Sequence, residues 1–345
     1  MNQKSERYSR QVLFAPLSKG GQDRLASSCA VVVGCGALGS VSAMALVRAG
    51  VGTVRLIDRD FPELSNLQRQ VLFDEDDVSA GIPKSVAAAH HLKKMNSEVI
   101  VVPIVADITH RNAVDLLGEC DVIIDGTDNF ETRYLLNEVA CQRGIPWVHG
   151  GAIGAEGRVM TVIPGQSACL RCLVPDTPQP GTLPTCDTSG ILGTASMVIG
   201  ALQATEAIKL LSGNAADVIT GLTAIDLWTG QWQRVSLKSL SVRGCPTCRE
   251  HDFPWLEGRF QSTARVLCGR EAVQIDPLQR SSPIDLEQLA KRLSLLGRVV
   301  SNPWLVRFEV EPGLSLSIFS DGRTIVSGTR EEPRARALVA RYLGA

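Results

Sequence analysis

The sequence of 345 residues predicts an α/β fold with a doubly wound, mostly parallel, Rossmann-like sheet. In its N-terminal half, short apolar runs alternate with segments of helical periodicity, and a glycine-rich loop joins the first run to the first helix. Continuous apolar strands that alternate with helices indicate parallel strands covered on both faces. We also expect a structural zinc site and a small C-terminal α+β module.

The elements of the N-terminal half follow in chain order. The predicted strands are Ala30–Val33, Thr53–Asp58, Val99–Val105, Val122–Asp125 and Pro146–His149. The predicted helices between them are Ala37–Ala49, Pro83–Met95 and Glu131–Gln142. Gly50 follows the first helix and Pro83 begins the second, which are the helix ends where these residue types are typical.

The remaining chain divides into the end of this domain and a C-terminal module. We predict strand over Gly150–Pro164, irregular chain over Gln166–Gly190, a helix over Gly193–Leu211 and a hairpin of Leu222–Leu227 with Trp232–Leu237. The boundary is expected at Pro254, which gives domains of residues 1–253 and 254–345. The predicted elements of the second are one or two strands in Thr263–Ile275, a helix Ile284–Leu295, strands Leu305–Pro312, Leu314–Phe319 and Thr324–Ser327, and a helix Glu332–Tyr342.

The composition excludes several classes of protein. Hydrophobic residues make up 44% and charged residues 21% of the chain, as in globular proteins and unlike disordered or collagen-like chains. The net charge is -1 and aromatic residues make up 5%, so we expect no nucleic-acid partner. Apolar stretches are far shorter than the roughly 20 residues of a membrane span. The polar segment Met1–Arg10 lacks the apolar core of a signal peptide, and we expect a cytoplasmic protein.

A glycine loop predicts a nucleotide site. The segment Gly34-Cys-Gly-Ala-Leu-Gly39 lies between the first strand and the first helix. Its glycines allow a tight turn and close approach of a phosphate to the helix N-terminus. Asp58 ends the second strand, where a carboxylate can accept hydrogen bonds from ribose hydroxyls. Alone, the loop favours a dinucleotide dehydrogenase, and the alternative is a tight turn that binds no ligand.

Polar residues downstream of Asp58 favour a triphosphate. In Leu64-Ser-Asn-Leu-Gln-Arg-Gln70, Asn66 and Arg69 can hold phosphate oxygens, a pair that a dehydrogenase does not need. Lys84 could add a second cation, or it could be a solvated lysine in the first turn of a helix. Asp128, in Gly126-Thr-Asp-Asn129 after a buried strand, could bind Mg²⁺ or could cap the next helix.

Two cysteine pairs predict a zinc site. Cys169-Leu-Arg-Cys172 and Cys245-Pro-Thr-Cys248 together offer four thiolates, the complete ligand set of a structural zinc ion. Redox-active pairs are the rival interpretation, but the context of a thioredoxin-like fold is missing.

Two further cysteines and the N-terminal arginines leave alternatives open. Cys186 lies in a polar segment between prolines and a glycine, where a thiol could be a nucleophile or a bystander. Cys268 faintly resembles part of a sulfurtransferase loop, although the C-terminal module looks too short for a rhodanese domain. In Arg7-Tyr-Ser-Arg-Gln11, an arginine could reach a phosphate across a dimer, or the charges could be solvated.

Taken in order, these motifs resemble the MoeB/ThiF family, the bacterial relatives of ubiquitin-activating enzymes. The resemblance extends from Arg7 to Arg249 and includes the segment Gly200–Lys209. It implies adenylation, with ATP, of the C-terminal carboxylate of a ubiquitin-like sulfur carrier protein, and transfer of sulfur from a cysteine desulfurase or rhodanese-type donor. ATP, Mg²⁺ and Zn²⁺ are the implied cofactors. The pathway downstream, for example thiamine, molybdopterin or tRNA thiolation, is left open.

The resemblance also implies roles for individual residues. Asp58 would hold ribose, Asp128 would bind Mg²⁺, and Arg10 would be supplied by the partner subunit of a homodimer. Cys186 matches a position that links covalently to the carrier in some members. The implied catalytic residues are Arg10, Arg69, Lys84, Asp128 and Cys186. The implied nucleotide-binding residues are Gly34, Gly36, Ala37, Gly39, Asp58, Ser65, Asn66, Leu67, Gln68, Arg69, Lys84, Asp128 and Asn129.

Two other functions are weighed against adenylation. An NAD-dependent oxidoreductase would use the glycine loop and Asp58, but it leaves Asn66, Arg69 and Asp128 without a role. A non-catalytic scaffold that binds a ubiquitin-like protein would not need Arg69 and Asp128. Both alternatives therefore explain fewer of the residues than adenylation does.

Overall fold

The computed structural model of the chain describes residues 6–178, 186–240, 244–260, 264–267, 271–276 and 283–344. Contacts divide the chain into two compact units, Met1–Arg259 and Phe260–Ala345. Trp255 belongs to the first unit, since its ring stacks on Tyr134 at 5.2 Å.

The first unit contains eight strands and nine α-helices within the described ranges. The strands are β1 Cys29–Val33, β2 Thr53–Ile57, β3 Ile100–Ile104, β4 Val122–Asp125, β5 Trp147–Ile153, β6 Glu156–Val162, β7 Leu222–Asp226 and β8 Gln231–Val235. The helices are α1 Ser18–Ser27, α2 Ala37–Ala49, α3 Glu75–Ala80, α4 Lys84–Met95, α5 Ala113–Leu117, α6 Phe130–Arg143, α7 Leu170–Leu173, α8 Cys186–Ser189 and α9 Gly193–Leu211. Of the helices described in either unit, none combines the length and the apolar character that crossing a membrane requires.

The eight strands form one sheet, in the order β3-β2-β1-β4-β5-β6-β7-β8. Neighbours pair in parallel from β3 to β5 and antiparallel from β5 to β8. Val33 pairs with Ile57 of β2 and with Asp125 of β4, so these three strands end at one edge. The strand order reverses beside β1, where such sheets form a ligand crevice. The predicted doubly wound, mostly parallel fold is confirmed.

Alternate strand residues point to opposite sides of the sheet. Because both sets of side chains are apolar, helices cover both faces. On one face, Val32 and Ile124 pack with Leu46 of α2 and Ile199 of α9. On the other face, a second core includes Leu135 of α6 and Trp147 of β5. Gly50 ends α2 in the left-handed conformation, with φ of 84°, and donates its N–H to the last turn.

The structure differs from the predicted elements at a few places. The strand expected over Gly150–Pro164 is two strands, because Gly154, with φ of 57°, turns the chain between β5 and β6. Part of Gln166–Gly190, expected to be irregular, forms the single-turn helices α7 and α8. Helix α1 was not expected, because its sequence contains adjacent glycines. It buries only three residues in the structure.

The second unit is an antiparallel sheet with two helices among its described residues. Its elements are β9 Ala264–Leu267, β10 Ala272–Ile275, α10 Leu286–Ser294, β11 Val299–Ser301, β12 Leu305–Glu311, β13 Leu314–Phe319, β14 Thr324–Ser327 and α11 Glu332–Leu343. The strand order is β11-β12-β13-β14-β10-β9. Leu293 of α10 and Ala335 of α11 pack on Val306 and Leu316 of the sheet. This architecture agrees with the α+β module that the sequence predicts.

Candidate nucleotide site and cysteine cluster

The glycine loop is shaped by close contacts between backbones. Gly34 has φ of 85°, in the left-handed region, and a Cβ on it would lie 2.6 Å from the carbonyl oxygen of Gly126. A Cβ on Gly39 would lie 1.8 Å from the carbonyl oxygen of Gly34. On Gly36, by contrast, a Cβ would meet only Gln70 Nε2, at 3.8 Å. The loop therefore lies against the end of β4 on one side and remains open at Gly36.

The N-terminus of α2 is suited to an anion. The helix begins at Ala37, which is half-buried, and Gly36 at its N-cap has no side chain to satisfy the first N–H groups. Unsatisfied N–H groups and the helix dipole both favour a negatively charged group at such a terminus. A phosphate can thus approach the backbone where the loop is open.

Asp58 joins the glycine loop to the end of β2. Its Oδ2 accepts a hydrogen bond from the Cys35 N–H at 2.6 Å, and its Oδ1 accepts one from the Asp60 N–H at 2.7 Å. Burial raises the pKa of Asp58 above its ordinary value, although the charge of Lys84 and the two N–H donors act in the opposite direction. Each carboxylate oxygen has a further lone pair that can accept a hydroxyl hydrogen.

The segment that carries Asn66 and Arg69 lies between the glycine loop and α9. Asn66 is buried, and its Oδ1 accepts a hydrogen bond from the Glu63 N–H at 3.2 Å, which closes a short 3₁₀ turn. Arg69 is half-buried and its Nη1 donates to the Ser65 carbonyl at 2.8 Å. A Cβ on Gly193 would lie 2.6 Å from the Gln68 carbonyl oxygen. The side chains of Ser65 and Gln68 are exposed and that of Leu67 is half-buried.

Lys84 is buried beside carboxylates. Only 5% of the residue is exposed. Its Nζ lies 3.7 Å from Asp60 Oδ2, and its N–H donates to the Asp60 carbonyl at 2.8 Å. The alternative of a solvated lysine in the first turn of a helix is therefore wrong. The ammonium group of Lys84 therefore lies near the carboxylates of both Asp60 and Asp58.

The turn after β4 shows whether Asp128 caps the next helix, which was one of the two interpretations of this residue. Asn129 is the N-cap of α6, and its Oδ1 accepts a hydrogen bond from the Thr132 N–H at 2.9 Å. Asp128 is exposed, and its Oδ1 lies 3.4 Å from Asn129 Nδ2. The cap is thus Asn129, which leaves the Asp128 carboxylate directed to solvent at the carboxyl edge of the sheet.

Arg10 is placed away from the glycine loop of its own chain. It is exposed, and the next residue, Gln11, donates through Nε2 to the carbonyl of Ala49, the last residue of α2. The glycine loop lies at the first residue of the same helix. A helix of this length separates its ends by about 20 Å. The structure therefore does not bring Arg10 together with the other predicted residues within one chain.

The four cysteines of the two predicted pairs come together on the α6 face of the sheet. The Sγ–Sγ distances are 3.8 Å between Cys169 and Cys172, 3.7 Å between Cys169 and Cys245, and 3.5 Å between Cys172 and Cys248. Four thiolates around zinc, with bonds near 2.3 Å, lie about 3.8 Å apart in a tetrahedron. The cluster thus fits a zinc ion, and its four ligands leave no open coordination position for catalysis.

The family of the chain follows from comparison with known sequences. The sequence model described as the ThiF family matches residues 8–247. The chain belongs to the ThiF family. This confirms the resemblance seen in the motifs, and the match includes the glycine loop and three of the four paired cysteines, ending one residue before Cys248.

Individual relatives and a solved structure give the extent of the similarity. The Sulfur carrier protein ThiS adenylyltransferase of Bacillus subtilis is 42% identical over 98% of this chain and 99% of its own length. The Sulfur carrier protein adenylyltransferase of Thermus thermophilus is 37% identical over 70% of this chain and 89% of its own length. The crystal structure of E. coli MccB with ATP is similar with a TM-score of 0.58, 25% identity, and coverage of 70% of this chain and 73% of that one.

Two charged residues near the candidate site, Arg59 and Asp107, were missed by sequence reasoning. Burial lowers the pKa of Arg59, but Asp107, Asp60 and Asp128 raise it more, so it ends above its ordinary value. Arg59 Nη1 donates to Asp107 Oδ2 at 2.8 Å. The one signal in the sequence was the position of Arg59 directly after Asp58. Asp107 lies beyond β3 and gave no such signal.

The predicted nucleophile falls partly outside what the structure describes. Cys186 is the first residue of α8, so its backbone is helical where a loop was expected. The position of its thiol, and all of Cys268, lie outside the described residues. The structure therefore places neither thiol relative to the nucleotide site.

Proposed function

We propose that this protein is an adenylyltransferase that uses ATP to activate the C-terminal carboxylate of a ubiquitin-like sulfur carrier protein. One observation carries the proposal: Asp58, buried Lys84 and the Asp128 turn lie around the open N-terminus of α2. Similarity over almost the full length to a B. subtilis protein named as a ThiS adenylyltransferase supports the choice of substrate.

Each residue group has a part in the proposed reaction. The N–H groups at Gly36 and Ala37 receive a phosphate, and Asp58 accepts the ribose hydroxyls. Asn66, Arg69 and Lys84 hold phosphate oxygens, and Asp128 holds Mg²⁺. The ion, when bound, would offset phosphate charge. Exposed Ser65, Gln68 and half-buried Leu67 line the same segment, and Asn129 keeps the Asp128 turn at the helix end.

The chemistry requires charge stabilisation and no general base. A carrier carboxylate oxygen attacks the α-phosphorus of ATP, the bond to the β-phosphate oxygen breaks, and pyrophosphate leaves with the electron pair. The carboxylate is already ionised at neutral pH, so no proton has to be removed. Negative charge builds on phosphate oxygens, and the cations around α2 are suited to stabilise it.

Arg10 acts, in this proposal, in the site of a second copy of the chain. Its distance from its own glycine loop is consistent with a residue supplied by the partner of a homodimer. Cys186 would act after adenylation, when the outer persulfide sulfur of a cysteine desulfurase or rhodanese-type donor attacks the acyl carbon and AMP leaves. Attack of the Cys186 thiol on the sulfur bound to the donor would then release the thiocarboxylate and leave a disulfide between Cys186 and the donor. A zinc ion in the cysteine cluster would hold distant chain segments together.

The proposal is tested by carrier-dependent exchange of labelled pyrophosphate into ATP. Ubiquitin-like proteins that end in Gly-Gly, taken from the same genome, are each added to zinc-loaded protein. We expect exchange with one of them and a loss of about 10²-fold or more in Asp128→Ala. Glu119→Ala, which removes an exposed acidic side chain outside the predicted site, is the control and should retain exchange. No exchange with any carrier, from folded protein that binds ATP, would favour a non-catalytic scaffold.

A further inference from the structure

A network of charged side chains lies beneath the turn that carries Asp128. Asp125, the last residue of β4, is completely buried. Its Oδ1 accepts hydrogen bonds from the N–H of Thr127 at 2.9 Å and from the Thr127 hydroxyl at 2.6 Å. Its Oδ2 lies 2.6 Å from His149 Nδ1 and 3.4 Å from Arg133 Nε. Three hydrogen-bonding groups and one guanidinium group thus surround one carboxylate in the interior.

The same network also binds the carbonyl group of Thr127. Arg133 Nη2 donates to the Thr127 carbonyl at 2.7 Å and approaches the Gly150 carbonyl at 3.4 Å. The Gly126 N–H donates to the Val33 carbonyl at 2.8 Å. The backbone just before Asp128 is therefore bonded at its N–H and carbonyl groups to β1, β4 and α6.

The charges in the network are consistent with these donors. Burial raises the pKa of Asp125, but Arg133 and the His149 hydrogen bond lower it more, so the carboxyl group has a pKa below its ordinary value. Burial lowers the pKa of His149, and the charges of Arg133 and Arg158 add to this, although Asp125 opposes it. An ionised Asp125 beside a neutral His149 requires that Nδ1 carry the hydrogen and donate it.

Stability alone does not account for this arrangement. Replacing a buried ion pair by well-packed apolar residues is often neutral or stabilising, because removing charges from water is costly. Here three of the contacts involve Thr127, and the next residue is Asp128. What the network controls directly is the conformation of the Gly126–Asn129 turn.

We propose that Asp125, Arg133 and His149 are positioning residues that fix the Gly126–Asn129 turn and thereby aim the Asp128 carboxylate. Immobilisation of the turn follows from the contacts themselves. Its consequence for Mg²⁺ rests on the proposed function, in which Asp128 holds the ion. Groups that orient a metal ligand in this way typically change metal affinity or activity by about 10- to 100-fold when removed.

A matched pair of variants at one position separates positioning from packing. In His149→Asn, the amide Nδ2 can donate from nearly the place of the histidine Nδ1, whereas His149→Leu has no donor. We expect amide hydrogen exchange in the peptide that contains residues 126–129 to accelerate about tenfold or more in His149→Leu and to stay near wild type in His149→Asn. Half-saturating Mg²⁺ for pyrophosphate exchange should rise about tenfold in His149→Leu only.

The two readouts decide the proposal separately from the function. Unchanged hydrogen exchange of the turn in His149→Leu, or equal behaviour of the two variants, would overturn it. A lower melting temperature with unchanged Mg²⁺ dependence would also overturn it, since that is the result of a packing role. If His149→Leu does not fold, Thr127→Val, which removes one donor at constant shape, should shift both readouts in the same direction. If wild-type protein shows no pyrophosphate exchange, the proposed function fails and hydrogen exchange still tests the positioning.

Discussion

The carbonyl oxygen of Gly34 occupies the space in which Gly39 would carry a side chain, since a Cβ on Gly39 would lie 1.8 Å from it. The contact is between two backbone segments, so neither can rotate away as a side chain would. It allows α2 to pack closely against the loop after β1. The third glycine of the motif is thus required by packing, whereas the second, Gly36, has room for a Cβ and lies at the open N-terminus of α2.

This difference predicts opposite results for two single-methyl substitutions. Gly39→Ala should destabilise the protein by about 2–3 kcal/mol, because α2 must move to accept the methyl group. Gly36→Ala should fold normally, since its Cβ would lie 3.8 Å from Gln70 Nε2, but should weaken ATP binding about tenfold by obstructing the helix N-terminus. Thermal unfolding and ATP titration measure the two effects. Normal ATP affinity in folded Gly36→Ala would argue against the glycine loop as the phosphate site.

The regular elements could be predicted from sequence because their signals are local. The bounds of α2 and α9 match the expected helices, and Gly50 marks the end of α2. The state of Lys84 could not be predicted, because its burial depends on Asp60, which is remote in sequence. The Asp125 network was missed for the same reason: His149 and Arg133 lie on different elements, and only the sheet brings them together. The capping role of Asn129, rather than Asp128, depends on one hydrogen bond to Thr132.

The cysteine cluster predicts a zinc content of one ion per chain. Cys172→Ser should lose zinc and melt at a lower temperature by roughly 5 °C or more, because the metal joins segments that are far apart in sequence. Cys120→Ser is the matched control, since burial raises the pKa of the Cys120 thiol to about 12 and this residue lies outside the cluster. Metal analysis and thermal unfolding provide the readouts. Zinc retained at full occupancy in Cys172→Ser would contradict a site made of these four thiolates.

The position of Arg10 predicts that two inactive variants complement each other. Arg10→Ala and Asp128→Ala should each lack pyrophosphate exchange. In a mixed dimer, the Arg10→Ala subunit keeps Asp128 and receives Arg10 from its partner, so one intact site forms. Random mixing of equal amounts would restore about a quarter of wild-type exchange.

Two controls define that experiment. Each variant mixed with itself should stay inactive, and a mixture kept under conditions that prevent subunit exchange should show no recovery. If the re-equilibrated mixture remains inactive although mass spectrometry shows mixed dimers, Arg10 acts within its own chain or not at all. Recovery would establish both the dimer and the shared site.

Glu138 predicts a loss of stability as the pH rises. The residue is fully buried on α6, and its Oε2 accepts a hydrogen bond from the Leu256 N–H at 2.9 Å. Burial raises the pKa of Glu138 to about 7. The folded protein therefore binds the proton more tightly than the unfolded chain, whose glutamate titrates near the ordinary value of about 4.3. Its contribution to stability is complete below that value and is lost as the pH rises through about 7.

Glu138→Gln should remove this dependence, because the amide stays neutral and its oxygen can still accept from Leu256. The wild type should lose about 2–3 kcal/mol of unfolding free energy from this group between about pH 4.5 and pH 8, and the variant should be the more stable of the two at pH 8. Urea unfolding at several pH values measures the difference, with the exposed Glu119→Gln as control. Parallel pH profiles for wild type and Glu138→Gln would mean that the buried carboxyl group titrates normally. In that case water must reach Glu138 between α6 and the segment at Leu256, and their packing would be looser than the hydrogen bond to Leu256 indicates.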